Sequence, residues 1–450
     1  MGRLRQKLTA DRHLIGYSSG NFGKNLLLSG VDVTLLFLLT DLLGIAAHRV
    51  GMLMLMVFAA DLVLDLGAGL LAAWAHNRRT GYRRLIVLGA PPCGAAFSLI
   101  YSLPALAPGN ITHIALVIIC FRAAYAIIDV PHNSLLARVA TDSRARGRAS
   151  GYRTVFSSAA SVVVATVLVP FMGGAGQRAT VGQLSLLGVA GGLVFCAVMC
   201  FSAWSSREEG AAGERRLRPA SGIALLPKLD RLFGAIAIVA LMTGFAIPVF
   251  TKMMLHLATY VLKQPGLAGT ILLTITLGQL AGAALWIYLV RSRDKTTLLA
   301  MSHAVAIGGI LCFAMAGATP WCLTGAALLI GVGFAGVFML PWGILADITD
   351  FAQFRHGERR ETATFAAILV IFKAGGAASL ATVGWSLEHL GYVPGVAQPE
   401  SVIQGMKWLA YGVPILGSLV AIVTLQHLAI GHRTHARVVR ANQRRALTAA

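Results

Sequence analysis

Charged residues are scarce in this chain of 450 residues. Asp, Glu, Lys and Arg make up 12% of it, about half of the ~25% that is usual in soluble domains. Hydrophobic residues make up 56%, and the mean hydropathy is +0.72. Many apolar runs reach the roughly 20 residues that a helix needs to cross a bilayer. This composition excludes a soluble enzyme, a secreted disulfide scaffold and a disordered chain, and it predicts an all-α integral membrane protein.

Motifs for metal binding are also missing. The six cysteines lie in or beside apolar segments and form no CxxC, which disfavours disulfides and zinc. We find no HExxH and no paired metal-ligand motif, so we expect neither an enzyme nor a metal or other cofactor. A membrane-embedded enzyme and a non-transporting sensor remain minor alternatives. The basic N-terminus is not followed by an apolar core with a cleavage site, so we expect no removable signal peptide.

Twelve apolar segments are predicted to span the membrane. Their approximate bounds are 22–44, 48–75, 85–106, 110–137, 151–172, 181–204, 231–259, 266–290, 297–317, 320–346, 362–389 and 402–430.

Basic residues are distributed unevenly between the two sets of connecting segments. Those on the side of both termini hold 29 Lys and Arg, whereas the opposite loops hold three. Because basic loops stay in the cytoplasm, we predict a multi-pass protein of the cytoplasmic (inner) membrane with both termini inside. The positive charge therefore indicates membrane topology, and we do not expect nucleic acid as a partner.

A central polar stretch divides the spans six and six. We predict an N-terminal half at 1–204, a cytoplasmic loop at 205–230, a C-terminal half at 231–430 and a basic tail at 431–450. Parallel six-helix halves are typical of major-facilitator transporters, whose substrate site lies at the midplane between the halves.

Charged residues inside spans are costly and point to function. Asp61 and Asp65 are four residues apart, so they share one helix face. Two close carboxylates in a low dielectric resist ionising together, so the pair is a candidate proton carrier or cation site. Alternatively, a nearby Arg or Lys pairs with them and only holds helices together. Asp32 lies in the first span, seven residues after Asn25 and eight after Lys24, and these three can face one side. Lys24 can equally snorkel to the interface.

The fourth, fifth and eleventh spans carry further candidates. Asp129 precedes Pro131, which breaks the helical hydrogen-bond ladder. Arg122 lies on roughly the same face as Asp129, and Arg153 opens the next span within possible reach of it; a purely structural pair is the alternative. Lys373 lies well inside its span and needs a carboxylate partner, for which Asp32, Asp61 and Asp65 are candidates. We read Lys252 as a snorkelling residue and His256 and His303 as interfacial or capping residues.

Four segments in order resemble the glycoside–pentoside–hexuronide cation symporters, the melibiose-carrier family of the major facilitators. They are GNFGKNLLLSGVDVTLLFLLTDLLG (20–44), AADLVLDLGAG (59–69), DVPHNSLLARVATDSRARGRASGYRTVFSS (129–158) and GILADITDFAQFRHGERRETATFAAILVIFKAGGAA (343–378).

The resemblance implies roles for individual residues. Asp61 and Asp65 match the family's cation-site acids, and Lys24, Asp129, Arg153 and Lys373 match positions that line its sugar and coupling site. Asn25 stands where sugar-binding members can carry an aspartate.

Departures from the family pattern bear on the ion and the substrate. Leu64, Leu66 and Ala126 replace an Asn, a Pro and a Thr of sodium-using members, so we predict a proton as the coupling ion and sodium as the less favoured one. Asn133 stands where an aromatic residue can stack on a sugar ring. Asp32 is not expected in the family and can replace the charge lost at Asn25.

We therefore predict a secondary active transporter that carries out proton-coupled symport of a sugar, glycoside or related small polar solute. Its partners are that solute and the lipid bilayer, and we expect it to function as a monomer. The coupling residues are Asp61, Asp65 and Asp32, and the substrate residues are Lys24, Asn25, Asp129, Asn133, Arg153 and Lys373. Transport of an amphiphile such as a lysolipid, or sodium coupling, is the alternative.

Overall fold

The architecture is helical. The computed structural model describes residues 11–77, 81–106, 110–139, 143–173, 180–206, 230–290, 292–317, 319–357, 361–426, 428 and 431–448. None of these residues lies in a strand. Twelve helices among them are long and apolar enough to cross a membrane, which confirms the predicted twelve-span fold. In lipid, a helix satisfies its own backbone hydrogen bonds, which an isolated strand cannot do.

The chain forms two compact units, which meet in sequence between Leu217 and Arg218. The predicted central loop, 205–230, lies almost wholly outside the described residues. The spans of the first unit are α1 (Arg12–Leu42), α2 (Ala47–Asn77), α3 (Gly81–Leu106), α4 (Ile111–Val139), α5 (Ser143–Val163, continued to Gly173) and α6 (Val181–Ser205).

Helix α1 begins ten residues before the predicted start of the first span. The segment before residue 22 contains Tyr17, Ser18 and Ser19, whose polar side chains suggested a position outside the membrane. All three are buried. The Ser18 hydroxyl donates to the backbone oxygen of Ala149, at 3.3 Å. Packing against α5 and α6 therefore extends the helix through residues that hydropathy alone excludes.

Small residues bring α3 and α6 close together. A Cβ added at Gly94 would lie 2.7 Å from the backbone oxygen of Gly192. The Ser98 hydroxyl donates to the Gly188 oxygen, at 3.1 Å. Such small-residue contacts are a common way for membrane helices to associate, and they fix one side of the first unit.

The second unit repeats features of the first. Its first helix has 31 residues, as α1 has, and each ends on a five-residue π turn, at Leu38–Leu42 and Leu257–Val261. The helices of the unit are α7 (Arg231–Val261), α8 (Leu267–Leu289), α9 (Lys295–Met315), α10 (Pro320–His356), α11 (Glu361–His389), α12 (Glu400–Gln426) and α13 (His432–Thr448).

The predicted basic tail contains a helix that packs on α10. Val438 of α13 is buried in the core of the second unit. His435 Nε2 lies 3.0 Å from Asp350 Oδ2 and 3.6 Å from Asp347 Oδ1. Lys295, at the start of α9, pairs with Asp347 at 2.7 Å. Because Asp347 and Asp350 hold this cluster, α10 continues ten residues past its predicted end at 346.

Candidate functional site

An ion pair joins α1 to α4. The Lys24 ammonium lies 2.7 Å from Asp129 Oδ1 and also donates to Asn133 Oδ1, at 3.0 Å. Asn133 Nδ2 donates to Asp129 Oδ2, at 3.0 Å. Lys24 is 4% exposed, so its side chain does not snorkel to the interface, which was the alternative for this residue. The structure thus brings together three of the predicted substrate residues.

Arg153 extends this group to α5. Its Nη2 donates to Asn133 Oδ1, at 2.8 Å, and its Nε donates to Asn21 Oδ1, at 3.0 Å. The Asn133 oxygen therefore accepts from both Lys24 and Arg153. Asn21 was not predicted; it lies one turn before the predicted Asn25 on the same face of α1.

Asn25 anchors the other end of the contact between α1 and α5. Its amide donates to the backbone oxygen of Ser157, at 2.7 Å, and to the Ser161 hydroxyl, at 2.8 Å. The polar network of α1, α4 and α5 thus consists of eight side chains within apolar helices: Asn21, Lys24, Asn25, Asp129, Asn133, Arg153, Ser157 and Ser161. Its charged members are two cations and one carboxylate. Carboxylate, amide, hydroxyl and cationic groups in one place offer the donors and acceptors that a hydroxyl-rich solute needs.

A second cluster of buried polar side chains, formed by Tyr17, His132 and Ser202, joins α1 and α4 to α6 beside the network. The Tyr17 and His132 rings stack with centroids 4.7 Å apart, and Tyr17 donates to the His132 backbone oxygen, at 3.0 Å. The Ser202 hydroxyl donates to the backbone oxygen of Tyr17, at 2.8 Å. His132 follows Pro131, where the helical ladder of α4 loses a donor. These contacts fix the turn of α4 that carries Asp129 and Asn133.

Asp61 pairs with Arg122 rather than standing open beside Asp65. Arg122 Nε donates to Asp61 Oδ1, at 2.8 Å, and Nη2 contacts Asp61 Oδ2. Arg122 was predicted on roughly the same face as Asp129, yet its bidentate partner is on α2. For Asp61 the structure therefore shows the alternative named above, in which a nearby Arg pairs with the acid and holds two helices together. Asp65 lies one turn further along α2 and is partly buried.

The remaining candidates are Asp32 and Lys373. Asp32 is on α1 and its side chain is exposed. Lys373 is in the second unit, partly buried in α11, and its predicted carboxylate partners belong to the first unit, so that pairing stays a prediction. Among the described residues, no group of three or more His, Cys, Asp and Glu is placed to hold a metal ion.

Three expectations about basic residues in the second unit were wrong. Lys252 is 4% exposed and does not snorkel, because its ammonium donates to the backbone oxygen of Gly376, at 3.0 Å. His256 and His303 are fully buried, so neither side chain is the exposed interfacial or capping group that we expected. His303 lies within α9, where its Nδ1 is 3.2 Å from the Ser418 hydroxyl.

Comparison with known proteins identifies the family. A family model described as MFS/sugar transport protein matches residues 16–432. The chain belongs to this family. The inner membrane symporter YicJ of Escherichia coli K12 is 25% identical, over 86% of this chain and 85% of its own. The putative glycoside/cation symporter YagG of the same organism is 24% identical, over 89% and 88%. Resemblance to the melibiose-carrier family is thereby confirmed, and so is the prediction of a transporter rather than an enzyme.

Solved structures show the same fold. The crystal structure of a D-xylose-proton symporter superposes with a TM-score of 0.58 over 91% of this chain and 95% of its own, at 15% identity. At this identity the likeness supports the major-facilitator architecture alone.

Proposed function

We propose that this protein is a proton-coupled symporter that moves a sugar, glycoside or related small polar solute across the cytoplasmic membrane by alternating access. The observation that carries the proposal is the polar network of α1, α4 and α5. Polar and charged side chains within membrane helices mark substrate and ion pathways. In a member of a sugar-transport family, this network is the best-supported place for the solute to bind.

The charges of the network favour an acidic substrate. Lys24 and Arg153 are two cations, and Asp129 is the carboxylate that contacts Lys24. A solute with one carboxylate would balance the surplus positive charge, and Arg binds a carboxylate in bidentate geometry. We therefore place uronic acids and their glycosides ahead of neutral sugars within the proposed class.

We favour a proton over sodium because apolar residues stand where oxygen ligands for sodium are expected. Leu64 and Ala126 stand near the acids of α2 and α4 where the resemblance leads us to expect oxygen-bearing side chains. Sodium is a hard cation that needs several oxygen ligands, as other hard cations do. A carboxylate can take up a proton without any further oxygen ligand. Asp61, Asp65 and Asp32 are therefore groups of the right kind for proton coupling.

Orientation and assembly complete the proposal. The 29 to 3 distribution of basic residues supports placing both termini in the cytoplasm. We further propose that one chain is the working unit. Labelling of a single cysteine introduced in the tail after 448, in intact cells and in lysed cells, tests the orientation, because a cytoplasmic tail reacts with an impermeant reagent only after lysis.

Uptake into proteoliposomes tests the function. The panel holds radiolabelled glucuronides, neutral glycosides, free sugars and a lysolipid, each under an inward proton gradient or an inward sodium gradient. We expect accumulation of an acidic glycoside above its equilibrium level under the proton gradient only. Accumulation driven by sodium alone, or transport of the lysolipid alone, would contradict the proposal and support one of the two alternatives. A Lys24→Gln variant that is folded but inactive would link the flux to the network.

A further inference from the structure

Arg153 of α5 is held along one edge of its guanidinium. Its Nε donates to Asn21 Oδ1, at 3.0 Å, and its Nη2 donates to Asn133 Oδ1, at 2.8 Å. A guanidinium has five N–H donors, and no described residue accepts from Nη1 of Arg153. The outer edge, formed by Nη1 and Nη2, can therefore hold a carboxylate in bidentate geometry. Arg153 is partly exposed, as a group that binds a solute has to be.

The chemistry of the neighbours fixes which way both amides point. Lys and Arg only donate hydrogen bonds, so an amide that meets them presents its oxygen. The Asn133 oxygen accepts from Lys24 and Arg153, and the Asn133 nitrogen donates to Asp129. The Asn21 oxygen accepts from Arg153. Both groups that hold Arg153 are thus uncharged acceptors.

The two cations of the network differ in their partners. Lys24 lies 2.7 Å from Asp129 Oδ1, so an anionic solute that bound Lys24 would compete with a carboxylate of the protein. Arg153 is bonded to two amides, which orient its guanidinium and leave its charge in place. Arg is not deprotonated in proteins, so this charge is permanent. A solute carboxylate that binds the outer edge of Arg153 has no such competitor among the bonds that hold it.

We infer that Asn21 is a positioning residue that decides the charge preference of the site. Because its amide is neutral, Asn21 orients Arg153 without cancelling the charge, and Arg153 then receives the carboxylate of an acidic solute. This role rests on the proposed transport of a small polar solute. An aspartate at position 21 would have nearly the same shape and would neutralise Arg153. The preference thus depends on one amide that stands where a carboxylate would fit.

A purely structural bond makes a different prediction. If Arg153 only ties α5 to α1, a carboxylate at position 21 forms a stronger, charge-assisted bond with it and leaves the choice of solute unchanged. If Arg153 receives the solute, the same carboxylate competes with the solute for the guanidinium. The two cases therefore differ in the preference between an acidic and a neutral ligand.

Binding of two matched probes separates these cases. Methyl β-glucuronide and methyl β-glucoside share one ring and differ only in a carboxylate against a hydroxymethyl group. The dissociation constant of each is obtained from the rise in melting temperature with ligand concentration, in purified protein without an ion gradient. We expect the wild type to bind the glucuronide about tenfold more tightly, and Asn21→Asp to lose this preference. Asn21→Ser keeps an uncharged acceptor and should keep the preference.

Asn110→Asp is the matched control, because it adds the same carboxylate just before α4. Asn110 is exposed, and its Oδ1 accepts from the backbone nitrogens of Thr112 and His113. Aspartate caps a helix as well as asparagine does. Both dissociation constants should therefore stay within about threefold of the wild type.

Three results would overturn the assignment of Asn21. The first is a wild type that binds the glucoside as tightly as the glucuronide, or binds neither probe. The second is a folded Asn21→Asp protein, monodisperse in size-exclusion chromatography, that keeps the full preference. The third is loss of the preference in Asn21→Ser. Asn133→Asp places the carboxylate at the other acceptor of Arg153, and it is measured in the same way if Asn21→Asp does not fold.

Failure of the proposed function would give a different pattern, because the probes bind without a gradient. A protein that shows the expected preference but accumulates no solute in proteoliposomes refutes the proposed symport and leaves the role of Asn21 standing. A protein that accumulates acidic and neutral glycosides alike under a proton gradient keeps the symport and refutes that role.

Discussion

The Lys24 ammonium and the Asp129 carboxylate meet 2.7 Å apart, with Asn133 bonded to both. Lys24 is almost fully buried, whereas the Asp129 side chain is 33% exposed. One end of the pair is thus fixed by packing, whereas the other is partly exposed. A solute that bonds to Asp129 or Asn133 would therefore act directly on the contact between α1 and α4.

Breaking this pair should cost stability and substrate binding together. Lys24→Gln leaves the Asp129 charge in a partly buried place, and we expect a loss of about 2 kcal/mol in the free energy of unfolding. The loss is measured as the shift in melting temperature. Adding Asp129→Asn removes both charges and should restore most of the stability, but not the uptake of solute. Equal instability of the single and double variants would contradict the ion-pair explanation.

Asn25 should control the charge preference of the substrate. Its amide lies 2.7 Å from the Ser157 oxygen and 2.8 Å from the Ser161 hydroxyl. Asn25→Asp adds a second carboxylate to the network and balances its two cations. We expect the ratio of acidic to neutral glycoside uptake to fall at least tenfold, equivalent to about 1.4 kcal/mol of discrimination.

Matched variants test this reading of Asn25. Asn25→Ser keeps a polar side chain without a charge and should lower uptake of both classes equally. If Asn25→Asp also lowers both equally, charge balance does not set the preference.

Hydropathy and charge patterns predicted the fold because membrane helices are defined by long apolar runs. They also singled out Lys24, Asp129 and Arg153, since charged residues stand out in such runs, whereas Asn133 was named through the family resemblance. The helix extensions were missed, because the burial of Tyr17 and Ser18 depends on partners from α4 and α5. The partner of Asp61 was missed for a similar reason: spacing along one helix does not say which neighbouring helix supplies the counter-charge.

Asn21, Ser157 and Ser161 show a further limit of the sequence. Single uncharged polar residues are common in membrane helices, where serine can bond to the backbone of its own helix. Ser161 does so with the Ser157 oxygen, at 3.3 Å. Only the packing of α1 on α5 shows that the two serines of α5 also meet Asn21 and Asn25 of α1. A prediction from one sequence therefore finds the charged centre of the network but not Asn21, Ser157 and Ser161.

The close approach of α1 to His132 can be tested with a methyl group. A Cβ added at Gly20 would overlap His132 Nε2 and lie 2.8 Å from the Ser202 hydroxyl. We expect Gly20→Ala to lower the free energy of unfolding by about 1–3 kcal/mol and to reduce uptake, because His132 lies in the turn that carries Asn133. Gly151→Ala is the control: it is exposed in α5 with open space around its Cβ, and it should be neutral or stabilising by up to about 1 kcal/mol. Equal effects of the two substitutions would show that overlap with His132 is not the cause.

Helix α13 should stabilise the second unit through His435 and Asn442. The His435 ring is bonded to Asp350 at 3.0 Å, and Asn442 Nδ2 donates to the Asp350 backbone oxygen, also at 3.0 Å. His435→Ala leaves two partly buried carboxylates without this neighbour, and we expect a loss of about 1–2 kcal/mol. Arg437→Ala, on the exposed face of the same helix, should change stability by less than about 0.5 kcal/mol. Protease cleavage within α13, followed over time, measures the docking directly: His435→Ala should be cut faster than Arg437→Ala, and equal rates would mean that the bond to Asp350 does not hold the helix in place.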